Sequence, residues 1–453
     1  MSALLVSQSE LETLLADAQA IVARYWSSLE QRESFPKTSG EQTIKIFDRP
    51  WEEEGRGREV LQDFELISQH ARPSNGRFFG YVVGSGEPVG AVGELFAAAL
   101  NQNVTAWRSA PAACAIERTV VGWLADAIGC SGMVGSLCGG GSAANLMALA
   151  MAREAKLAAN DAGAPRGVIY ASNEVHMAIP KAVSLLGLGR RNLRLIPTDD
   201  NFCMEVGALE ETISADLARG EVPIAVVASA GTVATGAVDP FEPIAKIAKA
   251  YGLWMHVDGA YGALASLAIP DKFRGMSQAD SVALDAHKWL YQPLECGCLL
   301  FRDQAIARQT FSQSGDYVKV LSSDPIEGFA FFDESMELSR RFRALKLWMS
   351  LQYHGRNSFR AAIERDLEHA QRLAELVAET PELELLAPVP LSAVCFRHRS
   401  KDNEALLKRV LSRGRVYISN ALIHGQFALR ACFVNHRTTD ADVTEILSEV
   451  LGA

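Results

Sequence analysis

The sequence predicts an α/β fold, a mostly parallel central sheet with helices on both faces, followed by a small C-terminal α/β domain. Three observations predict it. Short β-prone runs alternate with helical stretches from about residue 78 to residue 301, and the alternation resumes on a smaller scale after residue 340. With 453 residues, 48% of them hydrophobic, the chain can bury a large core without disulfides or metals. The charge balance narrows the partners. Basic side chains number 44 against 54 acidic ones, for a net −10, and no run of five Lys or Arg occurs. That excludes the basic footprint nucleic acid or an anionic membrane surface requires, so the expected ligand is small.

In chain order, apolar residues recur at helical spacing over residues 10–29 (Leu11, Leu14, Leu15, Ala18, Ile21, Val22, Tyr25), and a polar, Pro-containing stretch over 34–57 breaks the pattern. Residues 1–77 therefore read as an N-terminal appendage. The start lacks the basic n-region of a signal peptide, and no window approaches the roughly 18 apolar residues of a membrane span, which points to the cytoplasm. Strands are expected at 167–170, 193–196, 224–228, 253–257, 281–284 and 297–301, within a large unit spanning 78–311. The polar stretch 312–339 is too long for a simple connection and reads as a mobile loop over a site. From residue 340 a smaller domain follows: helices at 340–353 and 363–378, a strand at 393–397, a helix at 403–412, strands at 415–419 and 428–434, and a helix at 439–451. The eight cysteines are scattered in apolar contexts without CxxC spacing, so they read as reduced core residues, with no metal site.

Three motifs fall where strands should end, the edge at which open α/β sheets bind ligands. Leu137-Cys138-Gly139-Gly140-Gly141-Ser142 leads into a helical run, and glycines at a helix N-terminus present bare N–H groups suited to a phosphate. A plain flexible turn, or a dinucleotide fingerprint lacking its acidic partner, would look similar. Trp254-Met255-His256-Val257-Asp258-Gly259-Ala260-Tyr261 is an apolar strand ending in a carboxylate, which is costly to bury unless something cationic meets it or it merely caps a turn. Asp285-Ala286-His287-Lys288-Trp289-Leu290 ends another strand in a lysine that desolvation would favour as the neutral amine imine formation needs. Alone, a solvated surface lysine is the ordinary reading. Together, a phosphate turn, an acid and an amine are what pyridoxal phosphate requires.

The last two motifs resemble the signatures of the group II pyridoxal-phosphate-dependent amino-acid decarboxylases, the family of aromatic-L-amino-acid and glutamate decarboxylases. The resemblance covers the chain from about residue 78 onward. It implies the aspartate-aminotransferase-like fold type I and a homodimer with the active site at the subunit interface, the N-terminal segment wrapping on the partner. It implies decarboxylation of an L-amino acid to the amine and CO2 through an aldimine on Lys288. Asp258 would pair with the pyridine nitrogen, His176 would stack on the ring with Ala260 on the other face, and Thr232 would lie by the 3-hydroxyl and substrate carboxylate. Gly141, Ser142 and His287 would contact the phosphate.

Two departures bear on the reaction. The segment Ser339-Arg340-Arg341-Phe342-Arg343 resembles the one after the family's mobile loop, whose tyrosine, about nine residues before the double arginine, protonates the carbanion. An ungapped count from Arg340 lands on Phe331, which carries no proton, and in similar plant enzymes Phe there accompanies oxidative deamination to an aldehyde. That reaction is the alternative. Tyr317 is another phenol, expected to be structural. Among positions resembling the substrate pocket, Tyr81 and Trp107 are aromatic whereas Val82 and Thr105 are not, so aromatic, acidic and small polar side chains all stay open as substrates.

Overall fold

The computed structural model describes residues 4–37, 40–163, 166–313 and 324–452. Tyr317 lies outside them. Seven strands form the large sheet: β1 (Val134–Cys138), β2 (Val168–Ser172), β3 (Leu193–Ile196), β4 (Pro223–Ser229), β5 (Trp254–Asp258), β6 (Ser281–Asp285) and β7 (Gly297–Phe301). Their order is β1-β7-β6-β5-β4-β2-β3, and β7 alone runs against the other six. The carboxyl ends of six strands therefore share one edge of the sheet.

Side chains alternate between two apolar layers, as a sheet covered on both faces requires. Val168, Tyr170, Val226 and Ala228 face one layer with helix Pro111–Ala127, while Ile169, Ala171, Ala225 and Val227 face the other with helix Gly141–Leu157. The second sheet is antiparallel, with β8 (Leu383–Leu385), β9 (Ala393–His398), β10 (Ser419–Ile423) and β11 (Gln426–Cys432) in the order β10-β11-β9-β8.

The expected strands recur within a few residues, with three differences. Strand β1 was expected only as a strand end before the glycine turn, without a range; Gly135 and Ser136 dilute its apolar signal, and Gly135 is there because a Cβ would run into the Leu299 carbonyl of β7. The strand expected at 415–419 instead begins at Ser419, and 428–434 shifts to Gln426–Cys432, because His424 and Gly425 (φ 47° and 76°) form the tight turn between β10 and β11. Val416, Tyr417 and Ile418 are buried as an approach segment, with Tyr417 hydrogen-bonded to the backbone of Arg77 and Phe79. Finally, the two helices expected after residue 340 meet end to end within Arg343–Glu379, at the non-helical Gly355 (φ 74°, ψ 159°). Among the described residues, no helix is long and apolar enough to cross a membrane.

Candidate active site

At the shared edge, loops after β1, β2, β4, β5 and β6 enclose a cavity of about 730 Å³, closed on the far side by β10 and Arg430 of β11. That is room for a cofactor-sized ligand with a small substrate. The glycine turn after β1 enters helix Gly141–Leu157 with Gly140 at φ 103°, a conformation closed to other residues without strain. A Cβ on Gly141 would sit 2.6 Å from that of Ala260 and 3.2 Å from Asp285 Oδ2, so the turn is bare for close approach. Its free N–H groups and the exposed Ser142 suit a phosphate.

Lys288 follows β6 on a single helical turn, its Nζ 3.1 Å from Asp285 Oδ2. Asp285 is buried, and its Oδ1 has no partner. His287 Nδ1 accepts the Cys296 N–H at 3.2 Å, while its Nε2 lies 3.6 Å from Asp285 Oδ2; burial lowers its pKa. Asp258, at the end of β5, accepts from Asn145 Nδ2 at 2.9 Å on Oδ2 and from the Ala260 N–H at 3.3 Å on Oδ1. His176 lines the cavity after β2, with its pKa lowered chiefly by desolvation, and its Nδ1 accepts the Ala178 N–H at 3.2 Å. Thr232 Oγ1 lies 3.0 Å from Thr235 Oγ1 and accepts the Ala237 N–H at 3.1 Å.

Of the residues singled out in the sequence, Lys288, Asp258, His176, Ala260, Gly141, Ser142, Thr232, His287, Tyr81 and Val82 all line this one cavity. Thr105 and Phe331 do not. The Phe331 N–H donates to the Thr105 carbonyl at 2.9 Å, and the Phe331 ring is fully buried between Phe329 (4.8 Å) and the Arg340 guanidinium (4.2 Å). The cause is the buried ion pair of Arg340 with Glu117, which also draws Arg340 onto the Val104 and Leu137 carbonyls and brings residue 331 with it into the core. The ungapped count therefore lands on a core residue.

Sequence reasoning missed three participants. Asn145 binds Asp258 directly and His256 binds Asn145 at 2.8 Å. A signal existed: Trp254, His256 and Asp258 alternate on one strand face, and Asn145 is one helical turn after Gly141. Arg430 spans the cavity wall, donating to the carbonyls of Val233 (2.6 Å), Ala234 (3.0 Å) and Tyr81 (3.2 Å). Only its place in the second sheet brings it there, which periodicity does not reveal.

Known proteins resemble the chain along most of its length. Residues 49–399 match the family model described as the pyridoxal-dependent decarboxylase conserved domain. An aromatic-L-amino-acid decarboxylase from Bacillus atrophaeus is 33% identical, covering 85% of this chain and 82% of its own. A phenylacetaldehyde synthase from Petunia hybrida is 31% identical, over 78% of this chain and 75% of its own. The crystal structure of Oryza sativa TDC with PLP and tryptamine superposes with a TM-score of 0.92 at 26% identity, over 100% of this chain and 98% of that one.

Proposed function

Since the chain belongs to the family of pyridoxal-dependent decarboxylases, with pyridoxal 5′-phosphate as its cofactor, we propose that it converts an L-amino acid to the corresponding amine and CO2. The observation that carries the reading is the convergence of Lys288, Asp258 and the Gly139–Gly141 turn on one cavity. When bound, the cofactor supplies an aldehyde that captures the substrate amine and a ring that takes up the electron pair left by CO2.

The chain's own residues do the rest. Lys288 would hold the cofactor's aldehyde, Asp258 would face its ring nitrogen, and the Gly141 turn, Ser142 and His287 would hold its phosphate. His176 and Ala260 would bracket the ring, and Thr232 would lie by the 3-hydroxyl and the substrate carboxylate. Lowered in pKa by burial, His176 is neutral near pH 7, and because Nδ1 accepts from Ala178, Nε2 carries the proton. That hydrogen would go to the substrate's Cα once CO2 has left, and Nε2 would take up another from solvent. Tyr81 and Val82 form part of the substrate wall, with Arg430 beyond them.

The catalytic unit is a homodimer with its sites at the interface, and residues 1–77 pack on the partner, ahead of a large domain (78–311), a loop (312–339) and a small domain (340–453). Helix Gln8–Ser27 buries none of its residues in the single chain, and helix Pro88–Leu100 leaves Val92, Leu95, Phe96 and Leu100 exposed, which supports that reading. The cytoplasm suits the unpaired cysteines.

Oxidative deamination to an aldehyde is the second reading, favoured by the Petunia relative. The burial of Phe331 favours the amine, because a phenyl ring locked in the core does not take the place of a proton donor in the cavity. Incubating the cofactor-loaded protein in air with a panel of L-amino acids, aromatic ones first, decides. Amine equal to CO2 supports decarboxylation; aldehyde with ammonia and peroxide replaces it by the second reading.

A further inference from the structure

We propose that Asn145 and His256 are positioning residues, the inner links of a one-directional hydrogen-bond chain from Trp254 and Ser281 that holds Asp258 toward the ring nitrogen of the bound cofactor. The inference rests on the reading of Asp258 as the partner of that nitrogen.

Both ends of the chain have fixed roles. Trp254 Nε1 can only donate, and gives its hydrogen to Ser281 Oγ at 2.8 Å. Asp258, as a carboxylate, can only accept, and takes one from Asn145 Nδ2 at 2.9 Å. With its NH2 spent there, Asn145 turns its oxygen to His256 Nε2 at 2.8 Å, so that nitrogen must carry hydrogen. The opposite amide orientation would set two oxygens against each other. Burial lowers the His256 pKa to about 4, so the ring is neutral at pH 7 and Nδ1 is bare. Nδ1 then accepts the Ser281 hydroxyl at 2.9 Å, with the Ser281 carbonyl oxygen farther off at 3.2 Å. Every hydrogen in the chain points toward Asp258, an arrangement whose links polarise one another.

The architecture explains how these groups meet. Trp254, His256 and Asp258 share one face of β5, Ser281 is paired with His256 across β6, and helix Gly141–Leu157 lies on that face with Asn145 aimed between them. Asn145, His256 and Ser281 are each at most 1% exposed, so no solvent competes. Burying four polar groups where apolar ones would pack is costly unless their bonds are used. The outcome at Asp258 is unequal. Oδ2 is held by the chain, while Oδ1 receives only the long Ala260 contact of 3.3 Å and keeps capacity for a ring N–H.

The test uses holoenzyme reconstituted with cofactor 15N-labelled at the ring nitrogen, read by 15N NMR at pH 7.5 alongside kcat and KM. In Asn145→Leu and His256→Phe, the proposal expects the ring-nitrogen signal to move toward the unprotonated value and kcat to fall about tenfold or more, with KM within about threefold. His256→Gln, whose amide can still donate to Asn145, is expected to restore most of both. A wild-type signal and wild-type kcat in Asn145→Leu or His256→Phe overturns the proposal. So does a wild-type His256 found as the Nδ1–H tautomer, a measurement that stands even where a variant fails to fold. Asp258→Asn separates the two levels: a ring nitrogen that stays protonated there overturns the reading of Asp258 itself, whereas a shift in Asp258→Asn alone overturns only the chain behind it.

Discussion

Asp258 and Asp285 close neighbouring strands at the same edge of the sheet, yet their surroundings differ. Asp258 has a donor on each oxygen, one of them backed by the buried sequence through Asn145, His256, Ser281 and Trp254. Asp285 has Lys288 and His287 on one oxygen and nothing on the other. The first carboxylate is set in place before any ligand arrives. The second is paired with Lys288, the amine proposed to hold the cofactor, and it lies against the Gly141 turn. Preorganisation belongs where charge must stay fixed during the reaction; an incompletely satisfied group belongs where the contents of the cavity change.

The comparison is broken most severely at Lys288. Lys288→Ala is expected to remove the visible absorbance band of the lysine-bound cofactor and to lower turnover by about a thousandfold or more, checked by spectrum and steady-state rate. Next comes Asp285→Asn, which keeps the shape but removes a negative charge from beside the Gly141 turn. Affinity for inorganic phosphate and for the cofactor is expected to rise about three- to tenfold, read by fluorescence titration; unchanged affinity would mean the two sites do not feel each other.

A pH series probes the Asp258 side. His256 titrates near 6.5 in the unfolded chain and at about 4 when folded, so between those values the unfolded state binds more protons. Its contribution is intact above about pH 6.5 and is lost as pH falls toward 4. His256→Gln should therefore be less destabilised than the parent on going from pH 7 to pH 5, by on the order of 1–2 kcal/mol in urea unfolding. Asp366 and Asp239 work in the opposite sense, since burial raises them to about 7 and about 6, and they are common to both proteins. The smallest effect is expected at Phe331. Phe331→Tyr inserts a hydroxyl into a closed core and should cost about 1–2 kcal/mol of stability while leaving the amine-to-aldehyde ratio unchanged; a changed ratio would return residue 331 to the chemistry.

Much of this site could be read from the chain alone, for a physical reason. Lys288, Asp258 and the glycine turn are each adjacent to a strand end, so local pattern and topology together place them at one edge. Phe331 was misplaced because a residue count carries no information about Arg340, whose pairing with Glu117 pulls the segment inward. Asn145 escaped notice because its signal, one helical turn after Gly141 and opposite the His256 face of β5, shows only when the helix and the strand are read together. Arg430 escaped because the cavity's far wall comes from a sheet more than a hundred residues later in the chain. In the same way the range of β1 was hidden by its small residues, which are there to let two strands come close.

The bend at Gly355 has a geometric consequence. Two helices meeting there, together Arg343–Glu379, run along both sheets: the first is tied to helix Pro88–Leu100 through Lys346 and Glu94, and the second packs Leu373 and Val377 into the core of the antiparallel sheet. Lys288 stands on one side of that joint, and β10 and Arg430 stand on the other. The two walls are also tied directly, through the hydrogen bonds of Arg430 to the carbonyls of Val233, Ala234 and Tyr81. A single non-helical residue thus lets one stretch of chain brace both sheets.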